Sequence, residues 1–399
     1  MLLVSGAGLA VGLILRGGGP KAITTPLLPA VGTAGTGPAS HVSFLERLIP
    51  SPPERVSGPA APRSIDDLAR RLPLQRAVAQ LFLFGFDGKD QTSPIFDELR
   101  RLNLGGVVLD GRNYDSPQQL AGLVGSLNTT ATGAGQIRPW FMAEQDGGDY
   151  SSFGDLPPVH PPGDFHAPAD AAAAMIQAIT GLKALGLNGL LEPDLDIGSE
   201  TGGAPGAEAF SGGPAAVANY GRRVVAACRA QRIFCAAKHF PGLGAATTMT
   251  DEGPAEVGLS LQALEANDMV PFATAVKAGI PGIVVGEGLY EPDSFVTPAA
   301  LSKAVIGNLL RKRLRFGGLA VTDDLADPGV STFAQVPDAA VEALQAGADM
   351  VYISGDLGDQ EAAYNAVLNA VRNGQMRESH VRQSLLRILL TKRSYGLLR

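Results

Sequence analysis

Residues 318–325 read GLAVTDDL: five residues that suit a buried strand, then two consecutive carboxylates. An apolar strand can carry charge only where it leaves the sheet, because burying unpaired carboxylates inside one costs several kcal/mol each. The same design recurs along the chain. QLFLFGF (80–86), GGVVLD (105–110), WFMAEQ (140–145), GLLEPDLD (189–196), IFCAAKHF (233–240), GIVVGE (282–287) and MVYISG (350–355) each carry an apolar run that meets a charged residue at or just past its C-terminal end. Between them lie amphipathic stretches at 116–128, 215–231, 297–314 and 337–348, with a last one at 379–393. Short buried strands alternating with helices imply a parallel sheet, and eight alternations predict a closed (β/α)8 TIM-type barrel in a single α/β domain over residues 63–399. The polar tips then gather at the C-terminal mouth: Asp87, Asp110 with Arg112, Glu144 with Asp146, Asp194 with Asp196, Lys238 with His239, Glu287, Asp323 with Asp324, and Asp356. Asp87 and Asp356 read equally well as loop charges or helix caps.

The remaining chain bounds the function. Its 39 acidic against 32 basic residues give a net charge of -7 and no basic tract, which disfavours a nucleic-acid partner. Cys228 and Cys235, seven apart with no metal-site spacing, read as two buried thiols. Neither a metal nor a cofactor is called for. Residues 1–16 contain an apolar run, 2–15, too short to span a membrane comfortably and lacking a preceding positive flank. It reads as a signal or anchor-like segment and a membrane tether. Residues 17–62, rich in Gly, Pro and Ala, read as a disordered linker, and the pair predicts an extracytoplasmic location. Oligomeric state is not legible.

Five ordered segments carry a resemblance: GGVVLDGRN (105–113), EQDGG (144–148), EPDLDIG (192–198), AKHFPGLG (237–244) and AVTDDL (320–325). Together, over about residues 72–398, they resemble the catalytic domain of glycoside hydrolase family 3, especially its bacterial β-N-acetylglucosaminidase branch. The resemblance implies a carbohydrate substrate and a retaining mechanism in which Asp323 is the nucleophile, with Lys238 and His239 on sugar hydroxyls. Glu144, Asp146, Arg112, Asp196 and Glu287 are the further expected sugar contacts. Where that branch places a His on the loop after the fifth strand, this chain reads GLGAATTMTDEGPAEVG and has no His; Glu252, or Asp251, is the expected proton donor. Glu208 stands where an Arg is expected, exchanging a donor fork for an acceptor. An alternative follows from these departures: a barrel that binds a glycan or cell-wall fragment without cleaving it.

Overall fold

The structure is a computed structural model and describes residues 63–198 and 203–398; the N-terminal segment and linker expectations lie outside the described residues. Eight parallel strands form the barrel: β1 (Phe82–Phe84), β2 (Gly106–Val108), β3 (Trp140–Met142), β4 (Gly189–Leu190), β5 (Phe234–Phe240), β6 (Gly282–Val285), β7 (Leu319–Asp324) and β8 (Met350–Ile353). The ladder runs β3-β2-β1-β8-β7-β6-β5-β4. Across the remaining seam, Asn188 donates its N–H to Phe141 O at 3.1 Å and Leu191 donates to Ala143 O at 3.0 Å, so β4 meets β3. Every strand residue of β1 to β6 is buried, as a sheet covered by helices outside and filled by side chains inside requires. No helix among the described residues is long and apolar enough to cross a membrane.

Three expectations are corrected. The fourth strand is not 189–196: only Gly189 and Leu190 join the ladder, because Pro193 has no N–H to give it. Beyond it the chain stays extended, with Asp194 bridging Lys238 and Gly198 bridging Ser211. The single helix expected over 297–314 is a 3-10 turn at Ala299–Leu301 followed by the helix Ala304–Arg313, which is wound with i to i+5 bonds. The cysteines are not thiols. Cys228 and Cys235 form a disulfide, with Cα atoms 6.2 Å apart, joining the helix Gly213–Gln231 to β5. Their sequence spacing spans the turn at Arg232, whose left-handed φ of 55° folds the strand back against the helix.

Candidate active site

The strand that carries most of the chemistry is β5. Its pairing with β6 shifts register between Ala237 and Phe240, the Lys238–His239 peptide is cis, and both side chains engage residues of the mouth. Lys238 is 1% exposed. Its Nζ lies 2.8 Å from Asp146 Oδ2, 2.9 Å from Glu144 Oε2 and 3.0 Å from Glu208 Oε1. Glu144 accepts a hydrogen bond, whereas Asp146 meets the ammonium as an ion pair outside hydrogen-bonding geometry. Burial alone would lower the lysine's pKa, but Asp146, Glu144, Glu208 and Glu192 outweigh it and hold the group charged, well above its usual range.

Beside it, His239 Nδ1 sits 2.8 Å from Asp196 Oδ2, and Nε2 lies 3.6 Å from Asp323 Oδ2. Burial opposes the imidazolium, yet Asp323 and Asp196 raise its pKa well above the ordinary value; the ring is hydrogen-bonded to Asp196, while Asp323 acts on it as a charge across 3.6 Å. Asp196 is itself fixed, since its other oxygen accepts the Leu243 N–H at 2.7 Å. The Pro241–Gly242 turn makes this approach feasible: Gly242 has φ of 125°, and a Cβ there would fall 2.5 Å from the Cβ of Asp268.

Beneath these cations the barrel holds more carboxyls than they neutralise. Desolvation, with Glu192 next, raises Asp146 far above the carboxylate range, and desolvation likewise raises Glu192 and Asp194. Glu192 is the carboxyl beside Asp146, and its Oε1 accepts the Gln145 N–H at 2.8 Å. Among the described residues, two triads bring potential metal-ligand atoms within 4.8 Å of one another: Asp194–Asp196–His239 and Asp146–Asp194–Glu208. In the first, the His239 Nδ1 is engaged with Asp196 at 2.8 Å; in the second, the ammonium of Lys238 is paired with Asp146 and Glu208.

Above this layer opens a cavity of about 290 Å³, at the small end of the roughly 300–1,000 Å³ typical of ligand sites. His239, Asp323, Glu144 and Glu208 line it, with Asp110, Asp251 and Asp327, and Tyr352 and Met249 supply apolar surface. Burial pushes Asp323 up to about 6, less than it would without His239 opposite. The Oδ1 of Asp324 accepts N–H groups from Ala326 and Ser354, at 3.0 and 2.9 Å, tying the turn after β7 to β8. That turn presents Asp327, which burial and the neighbouring Asp324 and Asp323 push up to about 8.

The loop after β5 closes over this turn. Thr250 O accepts the Gly329 N–H at 2.7 Å, and a Cβ on residue 329 would lie 2.7 Å from Glu287 Oε2 and 2.9 Å from the Thr250 Cβ. Only a glycine lets the two loops meet, and their meeting sets Asp251 on the cavity wall near Asp327.

The structure thus brings together Lys238, His239, Asp323, Glu144, Asp146 and Asp196, with Asp251 at the rim. Glu252 is exposed and not on the wall. Arg112 does not face the cavity; its guanidinium grips Asp110 at 2.6 Å and reaches Asp87 at 3.3 Å. Glu287 is fully buried behind the wall, and neither carboxyl oxygen has a partner among the described residues. Asp356 caps the helix Leu357–Arg372 through the Gly358 N–H. Sequence reasoning passed over Asp327 and Glu192. The Asp-Pro pair at 327–328, a helix-start signal four residues past Asp323, was the available pointer to the first.

Residues 74–391 match the model of the glycosyl hydrolase family 3 N terminal domain. A β-hexosaminidase of Nitrosomonas eutropha is 30% identical over 264 residues, 63% of this chain and 74% of the relative. One from Stenotrophomonas maltophilia is 30% identical over 285 residues, 68% of this chain and 83% of that one. Among solved structures, a glycoside hydrolase family 3 β-N-acetylglucosaminidase from a Paenibacillus species superposes with a TM-score of 0.74 at 29% identity. That match covers 82% of this chain but only 63% of the Paenibacillus chain, so the protein spans less than two thirds of that relative.

Proposed function

Because the chain belongs to glycosyl hydrolase family 3, we propose that it hydrolyses terminal β-linked hexosaminides by a retaining mechanism with Asp323 as nucleophile. The observation that carries this is the placement of Asp323: at the tip of β7, in a cavity sized for about one sugar ring, with a protonated His239 3.6 Å away. That imidazolium keeps the carboxylate available for attack on the anomeric carbon, and withdraws none of its reach because it is tethered to Asp196 on the other side. As the bond to the aglycone breaks, the departing oxygen takes a proton from Asp327, the wall carboxyl that burial keeps protonated at neutrality; Asp251 faces it across the closed loops. Water then attacks the glycosyl-enzyme, giving its proton back to Asp327 and releasing Asp323.

Lys238 is enclosed by carboxylates, so it acts on the sugar through Glu144 and Glu208, which reach the cavity while it does not. The buried disulfide supports an extracytoplasmic location, where oxidising conditions maintain such bonds.

A panel of aryl β-glycosides tests the reading. Release of the aglycone by the native protein, and its loss in Asp323→Asn, is the expected result. The missing loop His favours a second reading, a glycan-binding barrel without turnover; sugar binding with no release from any glycoside would select it.

A further inference from the structure

We propose that Glu287 is a positioning residue whose carboxyl, while it holds its proton, latches the loop after β5 onto the turn after β7. The latch stands without a substrate, whereas its use in catalysis, keeping Asp327 and Asp251 on the cavity wall, rests on the hydrolase reading.

Glu287 follows β6 and packs beneath the point where the other two loops meet. A Cβ on Gly329 would stand 2.7 Å from its Oε2, and across the same contact the Gly329 N–H donates to Thr250 O at 2.7 Å. Two residues on, Leu289 donates to Ala255 O at 2.8 Å and accepts the Val257 N–H at 3.0 Å, so the loop after β6 is stitched to the loop after β5 as well. Three loops therefore close around one side chain. That side chain is 0% exposed, and among the described residues neither of its oxygens has a hydrogen-bond partner.

An ionised carboxylate in such a place is driven toward water, whereas a neutral carboxyl is tolerated. The charged groups that bear most on Glu287 sharpen this, because they are carboxyls of both packed segments: Asp323, Asp327 and Asp324 from β7 and its turn, and Asp251 from the loop after β5. The cations of β5 are committed elsewhere, Lys238 to Asp146, Glu144 and Glu208, and His239 to Asp196 and Asp323. Burial first, then those four neighbours, raise the pKa of Glu287 well above the ordinary carboxylate value. Separating the loops returns the group to water and to its usual acidity, so closure takes up a proton. By that linkage the contribution of Glu287 to closure is complete below the usual value of 4.5 and is lost as pH rises toward the raised one.

Amide hydrogen exchange of the peptide carrying Gly329, corrected for the intrinsic pH dependence of exchange, reads the opening equilibrium of this contact. In the native protein the opening constant should rise with pH above 4.5, with Glu287 contributing up to about tenfold per unit. Glu287→Gln, which stays neutral, should lack that contribution and show a shallower slope, and Glu287→Met, with no polar group at all, should match it. Asp327 regains water on opening in all three proteins, so the difference in slope isolates Glu287. Equal slopes in the native protein and the variants overturn the proposal while leaving the assignment of Asp323 intact. Slopes that differ as expected, with no aglycone released from any aryl glycoside, would instead sink the hydrolase reading and keep the latch.

Discussion

The carboxyl of Asp323 is set by opposing effects: burial raises its pKa to about 6, while the imidazolium of His239 limits the rise. It must be ionised to attack, so kcat/KM should increase as pH climbs through about 6. Asp327 must be protonated to donate, and its value of about 8 predicts a fall in rate as pH climbs through about 8. The profile is then a bell centred near neutrality. Asp327→Asn should remove the alkaline limb and slow substrates with poor leaving groups by roughly a hundredfold or more, sparing activated aryl glycosides. An alkaline limb unchanged in that variant would move the donor role to Asp251. Lys238→Met makes a different prediction. It leaves Asp146, Glu144 and Glu208 without their shared cation, at a cost of about 3–5 kcal/mol in urea unfolding, whereas an unchanged midpoint would mean those carboxyls are protonated throughout.

At the scale of elements, the two mouth loops depend on one contact. Gly329→Ala forces the Thr250 segment and Glu287 to give way by a few tenths of an ångström, which should lower kcat/KM about ten- to a hundredfold with little loss of thermal stability. A large drop in melting temperature with unchanged kcat/KM would make Gly329 a packing residue only. What could be read from sequence divides along the same line. The strands were legible because each couples an apolar run to a polar tip, a pattern that needs no knowledge of neighbours. The end of β4 was misjudged because the apolar residues around Pro193 outweighed its missing N–H. Whether Asp251 or Glu252 faces the cavity depends on one residue's turn in a loop with no periodicity, and Asp327 enters only because the chain doubles back after β7. Arg112 lies off the cavity wall, because Asp110 and Asp87 capture its guanidinium, a pairing that sequence does not reveal.

Across the whole molecule, one side of the barrel is braced covalently. The Cys228–Cys235 disulfide closes a short loop between an outer helix and β5, the strand that bears Lys238 and His239. A pairing seven residues apart is invisible in composition, because two buried thiols and a disulfide fill the same apolar environment. Cys228→Ser with Cys235→Ser should cost about 2–3 kcal/mol by loop-closure entropy, seen as a lower denaturant midpoint that reductant no longer shifts. The strand tips gather Lys238, His239, Asp323 and Asp324 at one mouth, and the proposed reaction depends on one of them, Asp323. The most direct test is mass spectrometry after incubation with a fluorinated glycosyl donor that forms a glycosyl-enzyme quickly and releases it slowly. The account predicts one added sugar mass on the peptide containing Asp323; turnover of that donor with no adduct, or an adduct on another carboxyl, would contradict it.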